Sequence, residues 1–94
     1  MPRSGSGEPY AIRFRASADR DLDKLPSRLV PRILSRIEAL AEDPYGRGTK
    51  ALHGKLKGLR RLRVGDYRVL FMADDATRTV RVLRVGHRES LYDR

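Results

Sequence analysis

The sequence predicts a small α+β domain: an N-terminal strand, a two-helix hairpin, then a three-stranded antiparallel meander with the helices packed on one face of the sheet. Three observations carry this. Tyr10, Ile12 and Phe14 alternate with Arg13 and Arg15, the period of a half-buried strand. Leu29, Val30, Ile33, Leu34, Ile37, Leu40 and Ala41 recur at helical spacing. From Leu59 onward the period returns to two, in segments 59–64, 67–73 and 79–86.

Each element has its own signals. Residues 1–9 are rich in Gly, Ser and Pro and carry no apolar pattern, so they read as a disordered lead-in to a single domain over 10–94. After the first strand, Ser17 is placed to cap a short helix running to about Leu25, with Asp19 and Asp21 where the helix dipole favours carboxylates. Pro26 ends it. Ser27 is placed to cap the longer helix, Pro31 falls in its first turn, and Asp43-Pro44 closes it. Residues 44–58 read as a glycine-rich loop carrying Lys50, Lys55 and Lys57. The meander's connections, Gly65-Asp66 and Asp74–Arg78, are of hairpin type.

Composition narrows the function classes. At 94 residues the chain has room for one domain. The absence of cysteine excludes disulfides, a thiol nucleophile and thiolate metal ligands. No apolar run approaches the roughly 20 residues of a membrane span, and the first nine residues lack a signal peptide's apolar stretch, so a cytoplasmic location with no membrane contact is expected. A net charge of +9 points to an anionic partner, nucleic acid above all.

The hairpin sharpens that charge. If Gly65-Asp66 is a two-residue turn, Val64 pairs with Tyr67, Arg63 with Arg68, Leu62 with Val69 and Arg61 with Leu70. Leu62, Val64, Tyr67, Val69 and Phe71 then share an apolar face for the helices. Arg61, Arg63 and Arg68 share the other, with Leu70 and Met72 further along. Like charges directly opposite cost a few tenths to about 1 kcal/mol, so stability alone would not select them. An anion between guanidiniums would offset the repulsion, and arginines splayed into water with their stems over apolar surface are the plainer alternative. Beyond the last strand, His87, Arg88 and Tyr92 bring an imidazole, a guanidinium and a phenol close together in sequence. Imidazole is the usual acid or base near neutral pH, Arg stabilises a phosphorane, and Tyr stacks on a base. Their plainer roles are a strand cap, an ion pair with Glu89 and a C-terminal packing anchor.

The motifs Leu52-x-Gly54, Leu59-Arg-Arg-Leu-Arg-Val-Gly-Asp-Tyr-Arg-Val-Leu-Phe71 and Val82-Leu-Arg-Val-Gly-His-Arg-x-x-x-Tyr92 together resemble the RelE/ParE superfamily of bacterial toxins, over about Tyr10 to Tyr92. The Gly86-His-Arg-x-x-x-Tyr92 motif is more similar to the RelE branch. That resemblance implies a RelE-like fold and a ribosome-dependent mRNA endoribonuclease, the toxin of a type II toxin–antitoxin system. It also implies partners: the ribosome, mRNA, and a small acidic or amphipathic, DNA-binding antitoxin in a hetero-oligomer. The ParE branch poisons DNA gyrase instead, and an inactive relative that only binds its antitoxin is a further alternative.

Carried across residue by residue, the resemblance implies that Arg68 contacts the scissile phosphate. Arg88 would stabilise the transition state or protonate the leaving 5′-oxygen, and Tyr92 would stack on or orient a nucleotide. Arg61 and Arg63 stand where relatives carry lysines, and with Lys55 and Lys57 they would bind phosphate. Arginine keeps its proton at any working pH, which leaves His87 as the candidate base, provided it reaches the site. The implied chemistry needs neither metal nor cofactor: the ribose 2′-hydroxyl attacks the adjacent phosphate and expels the 5′-oxygen. Asp19-x-Asp21-x-Asp23 has a calcium-loop spacing but lacks the required Gly and distal Glu, and Gly46-x-Gly48-x-Lys50 lacks the context of a phosphate loop.

Overall fold

The computed structural model describes residues 8–88. Strand β1 (Ala11–Phe14) leads into helix α1 (Ala16–Asp23), and a 3₁₀ turn over Ser27–Leu29 opens helix α2 (Val30–Glu38). Strands β2 (Thr49–Ala51), β3 (Arg60–Val64), β4 (Tyr67–Asp74) and β5 (Thr79–His87) follow. They form one five-stranded sheet in the order β1-β5-β4-β3-β2. The expected α+β architecture is therefore present, with two additions to the meander. β1 joins it parallel to β5, and β2 extends it antiparallel to β3.

Strand β2 lies in what reads from sequence as loop, because three residues carry no usable alternation. It forms through its partner: Thr49, Lys50 and Ala51 pair with Leu62, Arg61 and Arg60. Neither predicted serine cap is made. The residue flanking α1 is Arg15, without a side-chain cap, and Ser17 Oγ instead donates to the Leu83 carbonyl at 2.7 Å. Ser27 falls inside the 3₁₀ turn.

The core follows the predicted face. Ile33, Ile37 and Leu40 are buried against Leu62, Val64, Val69, Phe71, Val80, Val82 and Val85. Helix α1 has a different task. β1 ends its pairing at Phe14–Val82, and α1 then takes over the exposed edge of β5. Arg15 N donates to Val82 O, Ser17 to Leu83 O, and Val85 N to Asp21 Oδ2 at 2.8 Å, so these three edge groups find partners. Arg84 secures Asp21 at 2.7 Å. Burial alone would raise the Asp21 pKa, but hydrogen bonds from Arg84 and the Val85 amide, with the Arg84 charge, outweigh it and hold the carboxyl below its ordinary value.

The far end of the sheet is tied by Asp75. Its Oδ1 accepts from Tyr10 at 2.7 Å and Tyr45 at 2.6 Å, joining the N-terminal strand and the segment after α2 to the β4–β5 hairpin. Burial, then the bond to Asp75, pushes the Tyr45 phenol well above its ordinary value, which keeps it a donor. Asp74 does the turn chemistry expected of it, accepting from the Ala76 and Thr77 amides.

Candidate functional site

The β3–β4 register is the one the two-residue turn predicts: Val64–Tyr67, Arg63–Arg68, Leu62–Val69 and Arg61–Leu70. Arg61, Arg63 and Arg68 consequently share the face opposite the helices. Register extends that face across the whole sheet. Lys50 stands opposite Arg61 and Arg13 opposite Arg81, so three like-charge pairs lie on it with Arg63–Arg68. Each opposes stability by a few tenths to about 1 kcal/mol. Among the described residues no helix covers this side. Leu70, flanked in register by Arg61 and Arg84, is nevertheless only 6% exposed, consistent with arginine stems lying over it. Met72 on the same face is 40% exposed.

A bulge decides what the last strand contributes. Leu70 pairs with Arg84 but Phe71 pairs with Val82, leaving Leu83 as the extra residue. One extra residue reverses the alternation beyond it. Val85 returns to the core beside Val69, Gly86 lies opposite Arg68, and His87 pairs with Tyr67 on the helix side. With no side chain at Gly86, β5 projects nothing directly across from Arg68. Arg88 follows at the strand end, where its amide donates to Asp66 O at 2.9 Å and its Nε stands 3.8 Å from Asp66 Oδ1.

His87 therefore does not join the arginines. Its ring meets Tyr67 edge to face, with centroids 5.4 Å apart and planes at 79°, beneath α2. The expectation that His87 serves as base on the Arg61/Arg63/Arg68 face is corrected by this strand parity. The signal was in the sequence: Val80 and Val82 are two apart, but Val82 and Val85 are three apart, the spacing of a bulged strand. Lys55 lies in a 3₁₀ turn and Lys57 just after it, both exposed ahead of β3. Tyr92 and its predicted nucleotide contact, like the Glu89 alternative for Arg88, lie outside the described residues. Among the described residues no group of three or more His, Asp and Glu could hold a metal ion, and no helix is long and apolar enough to cross a membrane.

Residues 12–92 match the family model described as ParE toxin of type II toxin–antitoxin system, parDE. The chain belongs to this toxin family. Among relatives, the toxin is 40% identical to Toxin RelG of Mycobacterium tuberculosis over 87 residues, covering 92% of this chain and 99% of that one. It is 33% identical over 85 residues to Toxin RelE of the same organism, covering 89% and 87%. Its fold matches the toxin–antitoxin complex RelBE2 from M. tuberculosis with a TM-score of 0.79 at 40% identity, over 85% of this chain and 92% of that one. The archaeal RelE–RelB complex from Pyrococcus horikoshii matches with a TM-score of 0.74 at 25% identity, over 88% and 99%. Together these place the toxin in the RelE/ParE superfamily, as the hairpin motifs imply.

Proposed function

We propose that this toxin cleaves translated mRNA on the ribosome, using the arginine face as its phosphate site. The observation that carries the reading is the three like-charge pairs on that face, with Arg68 across from Gly86, which has no side chain. Repulsion of this kind is tolerated where an anion sits between the charges, and guanidinium presents planar, paired donors to phosphate oxygens. Arg68 would hold the scissile phosphate, Arg88 would meet the charge developing on the phosphorane or leaving oxygen, and Arg61, Arg63, Lys55 and Lys57 would follow the RNA backbone.

In the reaction the 2′-oxygen attacks phosphorus, the bond from phosphorus to the 5′-oxygen breaks, and a 2′,3′-cyclic phosphate remains. The 2′-hydroxyl loses a proton and the 5′-oxygen gains one. Arginine is a poor base, so the face supplies charge and orientation, and in-line placement by the ribosome supplies the rest. The work belongs in the cytoplasm, with a small acidic or amphipathic antitoxin wrapping the basic domain in a hetero-oligomer until the toxin is released.

One observation favours a second reading. With His87 turned away, the arginine face has no histidine, which suits a ParE-like toxin that binds DNA gyrase without cutting RNA. Induced expression followed by mapping of mRNA 5′ ends and plasmid supercoiling separates the two. Cuts confined to translated regions, abolished by Arg68→Ala or Arg88→Ala, support cleavage. Intact mRNA with altered supercoiling, insensitive to both substitutions, supports gyrase binding and overturns the nuclease.

A further inference from the structure

On the other side of the sheet from the arginine face, at the same end, lies a cavity of about 370 Å³ between α2 and the β3–β4 turn. Its wall is the Tyr67–His87 ring pair, and Ile33 and Val64 contribute its apolar floor. Arg28 and Arg32 line the cavity from the helix side. The Arg32 guanidinium reaches the turn itself, standing 3.8 Å from where a β-carbon on Gly65 would be. Gly65 holds a φ of +60°, a conformation glycine adopts without strain, so the turn that sets the β3–β4 register also forms one edge of the cavity beside Arg32.

Stability does not explain the two cations. Arg28 and Arg32 are one helical turn apart and both exposed, and like charges at that spacing oppose the helix by a few tenths of a kcal/mol. Arg32 stands in the first turn of α2 and Arg28 in the 3₁₀ turn before it, the end where the helix dipole disfavours positive charge. The volume falls within the range of small-molecule sites, which combine apolar and aromatic walls with a few placed polar groups. Here those are two guanidiniums and the Asp66 carboxylate.

We infer that this cavity is a nucleotide subsite: a ribonucleotide base packs against Tyr67 and His87, its phosphate is held by Arg28 and Arg32, and Asp66 accepts from amino or hydroxyl donors. The assignment rests on the RNA-cleaving reading for its role, which is to hold a nucleotide next to the one cut and so set base preference. The Gly65-Asp66 turn connects the two sites, because Asp66 lines the cavity while its carbonyl and carboxylate face Arg88. An RNA strand rounding the end of the sheet would place one phosphate at Arg68 and a neighbouring base in the cavity. Base stacking on aromatic side chains beside arginine is a general mode of single-strand recognition.

The chain has two histidines, His53 and His87, and this makes the test direct. The full-length protein labelled on histidine is titrated with each of the four ribonucleoside 3′-monophosphates, and the ring signals are followed by NMR. The His87 signal should move saturably with at least one of them while His53 stays in place. Arg28→Glu with Arg32→Glu, both on exposed positions away from the core, should weaken binding at least tenfold. In cells the same double variant should cut mRNA with altered base preference beside the cut. A stationary His87 signal, equal shifts in the variant, equal shifts with inorganic phosphate alone, or shifts with a short acidic peptide but no nucleotide would each overturn the subsite. If the nucleotides bind but Arg68→Ala leaves mRNA cleavage unaffected, the phosphate-site reading fails while the subsite stands.

Discussion

The two faces of the sheet obey different rules. On the helix side, β1, β3, β4 and β5 contribute apolar side chains to one core, and the sequence can be read there as a packing problem. On the opposite side, register brings Lys50 to Arg61, Arg63 to Arg68 and Arg13 to Arg81, arrangements that folding alone disfavours. The contrast separates residues kept by stability from residues that need another explanation. Where local choices conflict with the fold, function is the first place to look.

Substitutions on the two faces should therefore fail differently. The largest expected effect is on the helix side: Phe71→Ala or Ile37→Ala, both fully buried, should cost about 3–5 kcal/mol in urea unfolding. That is a large share of the roughly 5–15 kcal/mol available to a domain, and toxicity should fall with the folded population. Next comes Arg68→Ala, which should lower cleavage by roughly 10²-fold, the scale of losing one preorganised donor to the transition state, with unfolding changed by about 1 kcal/mol, since the side chain is half-buried. His87→Ala should cost less cleavage than Arg68→Ala and act on base preference instead, since His87 lines the cavity and not the arginine face; equal losses would break the division between the faces.

A smaller effect belongs to the edge that α1 covers. Asp21 accepts from Arg84 and the Val85 amide, and its pKa in the folded chain is lowered. Its contribution is therefore complete above about pH 4, the ordinary carboxylate value, and is lost as pH falls through the lowered pKa. Arg84 is half exposed, so solvent screening limits the pair, and Asp21→Asn should cost about 1 kcal/mol at neutral pH. Thermal melts at successive pH values should show the gap between parent and variant closing in acid. A constant gap would mean that the carboxylate charge is not what holds α1.

Much of this was legible in the sequence because it is local. A two-residue turn leaves one register available, so the β3–β4 pairs and both faces of that hairpin could be written down from Gly65-Asp66 alone. What escaped depended on the partner strand. Three-residue β2 exists because β3 offers it an edge. Ser17 looks like a cap, but the carbonyl of bulged Leu83 claims its hydroxyl. The bulge also turned His87 away from Arg68 and placed Gly86 opposite it. A single residue of parity thus moved the imidazole from the arginine face to a cavity wall.

The most direct test of the arginine face is one variant measured two ways. Arg68→Gln, which keeps the side chain's length but removes its charge, is compared with the parent for mRNA 5′ ends after induction and for Tm on the purified chain. The account predicts that cleavage of translated mRNA is lost while the purified chain still melts cooperatively near the parent Tm. Full cleavage by a variant with an unchanged Tm would contradict it.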